Sequence, residues 1–118
     1  MNGILIKATD EIGYALIVGD DTLRGMQEFV GGYIEIVRPA YLRRPYVMIV
    51  NEEGLLKGLP INNTGSLLYG APIVGDVLIL KDGFNDDGEP DLLSLDMDEA
   101  HNLLDELMRR FPYLEVPA

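Results

Sequence analysis

The sequence predicts an α+β domain, with a mostly antiparallel sheet, a short helix after the first hairpin and a C-terminal amphipathic helix packed on the sheet. Three observations carry that prediction. Short apolar runs recur along the chain, bounded by glycine, proline and aspartate. One brief stretch after the first two runs has helical spacing, at Leu23, Met26, Gln27 and Val30. A longer stretch near the end, from Asp96 to Phe111, has the caps and the apolar face of a full helix. With 118 residues, the chain has room for one core, so residues 1–118 are read as a single domain.

Taken in order, Ile4–Ala8 and Tyr14–Val18 are read as two strands joined by a turn through Thr9-Asp10-Glu11-Ile12-Gly13. Asp20-Asp21-Thr22 supplies an N-cap with acids at the positive end of the helix dipole. Gly31 suits the C-cap of that helix, where a left-handed backbone is usual. Tyr33–Val37 and Tyr46–Val50 are strands, and the second is nearly all apolar, which places it centrally in the sheet. Arg38–Pro45 holds two prolines and is a loop or irregular edge. Glu52-Glu53-Gly54 is a turn signal, so Leu55–Leu59 is expected to return as a hairpin partner.

Asn62 or Asn63 then caps a short helix through Leu67, Leu68 and Tyr69 that ends at Gly70. Val77–Leu80 is a strand, Gly83–Pro90 a polar loop, and Leu92–Leu95 a short closing strand. In the last helix, Asp96 and Glu99 make an acidic capping box. Ala100, Leu103, Leu104, Leu107, Met108 and Phe111 share one face, Arg109 and Arg110 sit in the last turn, and Pro112 stops the helix.

Composition narrows the function classes. The chain has no cysteine, which removes disulfides, thiolate metal sites and cysteine nucleophiles. No apolar run is long enough to span a membrane, and Met1-Asn2-Gly3-Ile4 does not open a secretory signal. A cytoplasmic location is therefore expected. The net charge is −11, and residues 82–106 hold ten of the twenty acidic residues with no Lys or Arg. That excess makes duplex nucleic acid an unsuitable direct partner, because phosphates reward a basic footprint. The acidic stretch is either a solvated face or a surface for a basic partner.

No catalytic constellation is visible. Phosphate-loop and dinucleotide fingerprints are absent, and Gly65-Ser66-Leu67 lacks the second glycine of a nucleophile elbow. His101 is the only histidine and cannot build the usual metal site alone. Asp82–Glu89 resembles a calcium loop, but its first and twelfth ligand positions would fall on Gly83 and Ser94. No metal and no cofactor is expected, and the chain is read as a binding protein rather than an enzyme.

Candidate binding residues cluster in the middle of the chain. Gly31 and Gly32 either stop a helix and start a strand, or let a ligand approach the backbone closely. Asn62, set at a bend by Pro60, either caps a helix or binds a ligand. Arg38, Arg43 and Arg44 fall within seven positions of an otherwise acidic chain, interleaved with Tyr41 and Tyr46. Guanidinium forks bind phosphate bidentately and tyrosine faces stack on bases, which suits a nucleotide-like ligand. The same arginines are equally suited to pairing with the acidic stretch of their own chain or of a neighbouring subunit.

Val30–Glu35 and Asn51–Asn62, with Met26-Gln27-Glu28 and Ile73-Val74-Gly75-Asp76, resemble a small family of phage and actinobacterial proteins carried as a domain of unknown function. The resemblance covers about residues 20–80. It implies a small phage or mobile-element protein, acting in the host cytoplasm if phage-encoded. Two functions are consistent with that setting. One is a counter-defence protein that sequesters a nucleotide-like small molecule through Gly32, Tyr33, Glu35, Arg38, Tyr41, Arg43, Arg44 and Asn62, as a homo-oligomer. The other is an acidic inhibitor or DNA mimic that binds a basic host protein through residues 82–106. Mimicry is the weaker variant, because the final helix presents about one charge per 3 Å against about 1.7 Å for duplex DNA.

Overall fold

A computed structural model describes residues 1–117. Its elements are β1 (Asn2–Ile6), β2 (Ile12–Leu16), α1 (Thr22–Val30), β3 (Ile34–Val37), β4 (Tyr46–Asn51), α2 (Asn63–Tyr69), β5 (Val77–Phe84), β6 (Pro90–Leu93) and α3 (Met97–Arg110). The strands form one six-stranded sheet in the order β2-β1-β5-β4-β3, with β6 pairing β5. Every strand pair is antiparallel. The expected α+β architecture is therefore present, with the short helix after the first hairpin and the amphipathic helix at the C-terminal end.

Both sheet faces are apolar, and each has its own core. On one face Ile4, Ile6, Met48, Val50, Val77 and Ile79 meet α3 and α2. On the other Val47, Ile49, Leu78 and Leu80 meet α1 through Met26 and Val30. β4 is buried at every position because it has neighbours on both sides and helices above and below. α3 buries Ala100, Leu103, Leu104 and Leu107, each leucine contributing about 2 kcal/mol of apolar transfer. Its start has the reciprocal capping box of Asp96 and Glu99.

Several local expectations are corrected. Leu55–Leu59 is a run of turns, not a strand, held by Lys57 N–H to Glu53 O and Leu59 N–H to Gly54 O. The first two strands begin two residues earlier than their apolar runs, because pairing with β5 and the turn at Asp10 set the register. β5 runs on to Phe84, so the polar loop shrinks to a tight hairpin in which Asn85 Oδ1 accepts from Asp87 N–H and Glu89 N–H. β6 accordingly spans Pro90–Leu93 rather than residues 92–95. Leu23, at helical spacing with Met26 and Val30, is half exposed, and Phe29 packs against the core on that side of the sheet.

Asn62 is completely buried. Its Oδ1 accepts from Gly65 N–H at 2.8 Å and caps α2. Its amide nitrogen donates to Ile6 O and Gly75 O, both at 2.9 Å. One side chain thus joins the end of β1, the start of α2 and the entry to β5. Asn62→Ala removes a cap and leaves two buried carbonyls short of a donor. Loss of about 2–4 kcal/mol is expected from these contributions, measured by urea denaturation.

Candidate functional site

The two glycine-containing motifs meet in space, and a second buried asparagine joins them. Gly31 ends α1 in the left-handed conformation, φ 80°, as its place after the helix requires. Gly32 then passes so close to Asn51 that a β-carbon there would lie 2.9 Å from its Nδ2 and 2.8 Å from Lys57 Nζ. Asn51 Nδ2 donates to Val30 O, the last carbonyl of α1, while its Oδ1 accepts from Glu53 N–H at 2.8 Å. Glu52 N–H completes the junction by donating to Tyr33 O. This corner is a structural clasp. The lack of a side chain at Gly32 leaves room there for the Asn51 and Lys57 side chains.

The proposed binding residues do not converge. Tyr33 and Glu35 are exposed at the start of β3, near the clasp. Arg38, Tyr41, Arg43 and Arg44 lie beyond the other end of β3, and Asn62 is sealed in the core with its polar atoms engaged. Asn62 is therefore corrected from a ligand contact to a cap and cross-link.

The arginines largely pair with the chain's own acids. Arg38 bonds Asp82, across to β5. Arg43 bonds Glu106 of α3 at 2.6 Å and lies over the Tyr46 ring, 5.2 Å from its centroid. Burial pushes the Tyr46 phenol above its ordinary value, and Arg43 pulls it part of the way back. Arg110 adds a bond to Tyr41 O at 2.8 Å, so the 38–45 loop is strapped along α3. These exposed pairs each contribute about 0–1 kcal/mol, enough to fix a loop but not a fold. The choice the sequence left open falls, for Arg38 and Arg43, on intramolecular pairing. Tyr41 and Arg44 remain exposed on that loop.

One concavity was not legible in these motifs. It is a groove of about 590 Å³ beside α1. Leu23 and Met26 of the helix, Ile34 and Ile36 of β3, Val47 and Leu92 give it apolar walls. Arg38, Asp82 and Asp91 stand at its polar rim. It exists because α1 has only nine residues and leaves part of a largely apolar sheet face uncovered. The one signal available in sequence was Leu23, an apolar residue on a helix too short to shield its neighbours. Among the described residues no group of three or more His, Asp or Glu is arranged to hold a metal ion. No helix among them is long and apolar enough to cross a membrane.

A six-stranded antiparallel sheet with helices on both faces defines a small three-layered α+β domain, tied at its chain junctions by buried asparagines. The chain belongs to the DUF3846 family, a domain of unknown function whose model matches residues 1–108. The match extends well past residues 20–80, taking in the first hairpin, the acidic hairpin and most of α3. No curated protein matches the sequence. Among solved structures, the crystal structure of small RNA methyltransferase HEN1 is similar, with a TM-score of 0.57 and 15% identity. The alignment covers 87% of this chain but 16% of that one, so the likeness is one of fold within a much longer protein.

Two measurements check the clasp and the Lys81–Glu99 pair that links β5 to α3. Gly32→Ala forces Asn51 or Lys57 aside, with a loss of about 1–3 kcal/mol expected in chemical denaturation. Glu99 accepts from Lys81 Nζ at 2.6 Å and from Asp96 N–H at 2.9 Å. The Lys81 bond, first, and the Asp96 backbone bond hold its carboxyl below the ordinary 4.5. The folded value lies below the unfolded one. Its contribution is therefore fully present above the ordinary value and disappears as pH falls through the lower folded value. Lys81→Met should flatten the stability–pH curve below about pH 4.5, followed by denaturant midpoints.

Proposed function

We propose that this protein is a non-catalytic binding module whose groove beside α1 receives an apolar, positively charged segment of a partner protein. The observation that carries the reading is the groove itself. Leu23 and Ile36 are each 50% exposed on its walls, in a protein whose other sheet face is covered by α3 and α2. Exposed apolar surface of this kind, rimmed by polar groups, marks interaction sites. Arg38 and Asp82 neutralise one another at the rim, and Asp91 leaves it with a net negative charge. The chain as a whole carries −11. A basic partner is steered toward such a surface and an anionic one repelled. The reading keeps the first part of the acidic 82–106 segment in the binding surface, since Asp82, Pro90, Asp91 and Leu92 line the groove. In a phage or mobile-element setting, occupying a host protein is the counter-defence role this module would serve.

A nucleotide-like small molecule is the second reading. The groove volume falls in the range of small-ligand sites, about 300–1,000 Å³, and Arg38 stands at its edge. A phosphate would have to displace the Asp82 carboxylate from Arg38, which favours the first reading.

Calorimetry with cationic apolar peptides and, separately, with nucleotides including cyclic and ADP-ribose types tests both. Peptide binding that weakens about tenfold in Leu23→Ser is the expected result, by loss of apolar contact surface with no change in charge. Binding of a nucleotide and no peptide would replace the first reading with the second.

A further inference from the structure

The edge of the sheet at β3 carries a feature separate from the groove walls. β3 lies at the end of the strand order and pairs only with β4. The register sets Ile34 opposite Asn51 and Glu35 opposite Val50. Glu52 N–H donates to Tyr33 O, so Tyr33 and Glu52 form a hydrogen-bonded pair. Antiparallel ladders alternate, so Glu35 and Val37 also turn their backbone groups toward β4. Ile34 and Ile36 therefore turn theirs outward. The next ladder agrees: Asp82 N–H donates to Pro45 O, which sets Val47 and Ile49 toward β5 and Met48 and Val50 toward β3. The outward residues are the same two whose side chains line the groove.

The geometry points to strand addition at this edge: an extended, basic and apolar segment of a partner protein pairs with Ile34 and Ile36 and lays its apolar side chains beside the groove. This rests on the protein-binding reading above and specifies its mode. Two outward N–H and two outward C=O groups supply four backbone hydrogen bonds to an added strand. On the groove face, the added residues opposite Ile34 and Ile36 extend the apolar wall toward Leu23. On the other face, the residue opposite Glu35 meets a carboxylate, with exposed Glu52 nearby on the adjoining turn. A lysine or arginine is favoured there, and an acid opposed, as for any directly opposed cross-strand pair.

Glu35 also bears on a second copy as the occupant. The antiparallel register that uses both Ile34 and Ile36 of two copies sets Glu35 against Glu35, a like-charge pair that opposes self-association. A charged residue in the middle of a short edge strand is a common guard against such pairing. Here the guard discriminates by charge. It rejects an identical strand and accepts a basic one.

The test is backbone amide exchange and chemical-shift mapping of the full chain with a blocked peptide of alternating lysine and valine. The same peptide with glutamate in place of lysine is the control. The expected result is slowed exchange confined to the Ile34 and Ile36 amides with the lysine peptide only. Ile36→Pro, which removes an outward donor without breaking a bond to β4, should abolish the protection of the remaining Ile34 amide. Glu35→Lys should weaken binding about three- to tenfold in a protein that stays folded. Shifts around Leu23 and Met26 without protection of Ile34 and Ile36 would overturn strand addition while leaving the groove reading in place. No shift anywhere would overturn both. Protection that rises with protein concentration in the absence of peptide would overturn the basic partner in favour of a second copy.

Discussion

Asn62 is the interaction on which the layout depends. A neutral amide with no exposure can be kept in a core only if its donors and acceptor are met. Its three bonds reach Gly65, Ile6 and Gly75, so β1, α2 and the entry to β5 have to arrive at one point together. Ile73 O accepts Asn62 N–H, and Pro60 O accepts Gly75 N–H, closing the same junction on the backbone side. Asn51 repeats the device at a second corner of the same end of the sheet, between the last turn of α1 and the 52–58 turns. The sheet is thus held at two corners by side-chain amides acting as missing peptide groups. The proline and the glycines around them serve approach and bend.

What those corners leave open defines the molecule's surface. α1 bridges from β2 to β3, which occupy opposite edges of the sheet, and it does so in nine residues. At about 1.5 Å per residue the helix cannot shield the width of five strands spaced about 4.8 Å apart. The uncovered strip is the groove, and its outer boundary is the unpaired edge of β3. The opposite face has a longer helix, α3, and a second short one, so its core is closed. The asymmetry between the faces follows from helix length.

Charge is distributed by the same economy of contacts. Read along the chain, residues 82–106 are a block of acid and residues 38–44 a knot of base. In space the block is split. Asp82 takes Arg38, Glu99 takes Lys81, and Glu106 takes Arg43 with Arg110 beside it. The acids of the β5–β6 turn stay exposed, at Asp86, Asp87 and Glu89. A linear charge run is therefore a poor guide to a surface potential once a hairpin and a helix share it.

Sequence by itself determined the elements whose signals are local. The capping box at Asp96 and Glu99, the left-handed stop at Gly31 and the cap at Asn62 each act over three or four residues, so they were readable without a fold. The apolar continuity of Tyr46–Val50 likewise fixed β4 as a central strand. Leu55–Leu59 was misread because two adjacent leucines look alike in a strand and in a turn. Leu56 is 88% exposed, and only the bonds from Lys57 and Leu59 to Glu53 and Gly54 distinguish the two. Tertiary structure alone decided that Asn62 reaches Ile6 across 56 positions, that Arg43 meets Glu106 across 63, and that β3 ends as an edge. The physical reason is range. Caps and periodicity are set by neighbours along the chain, whereas strand order, cross-links and grooves are set by which distant segments close on one another.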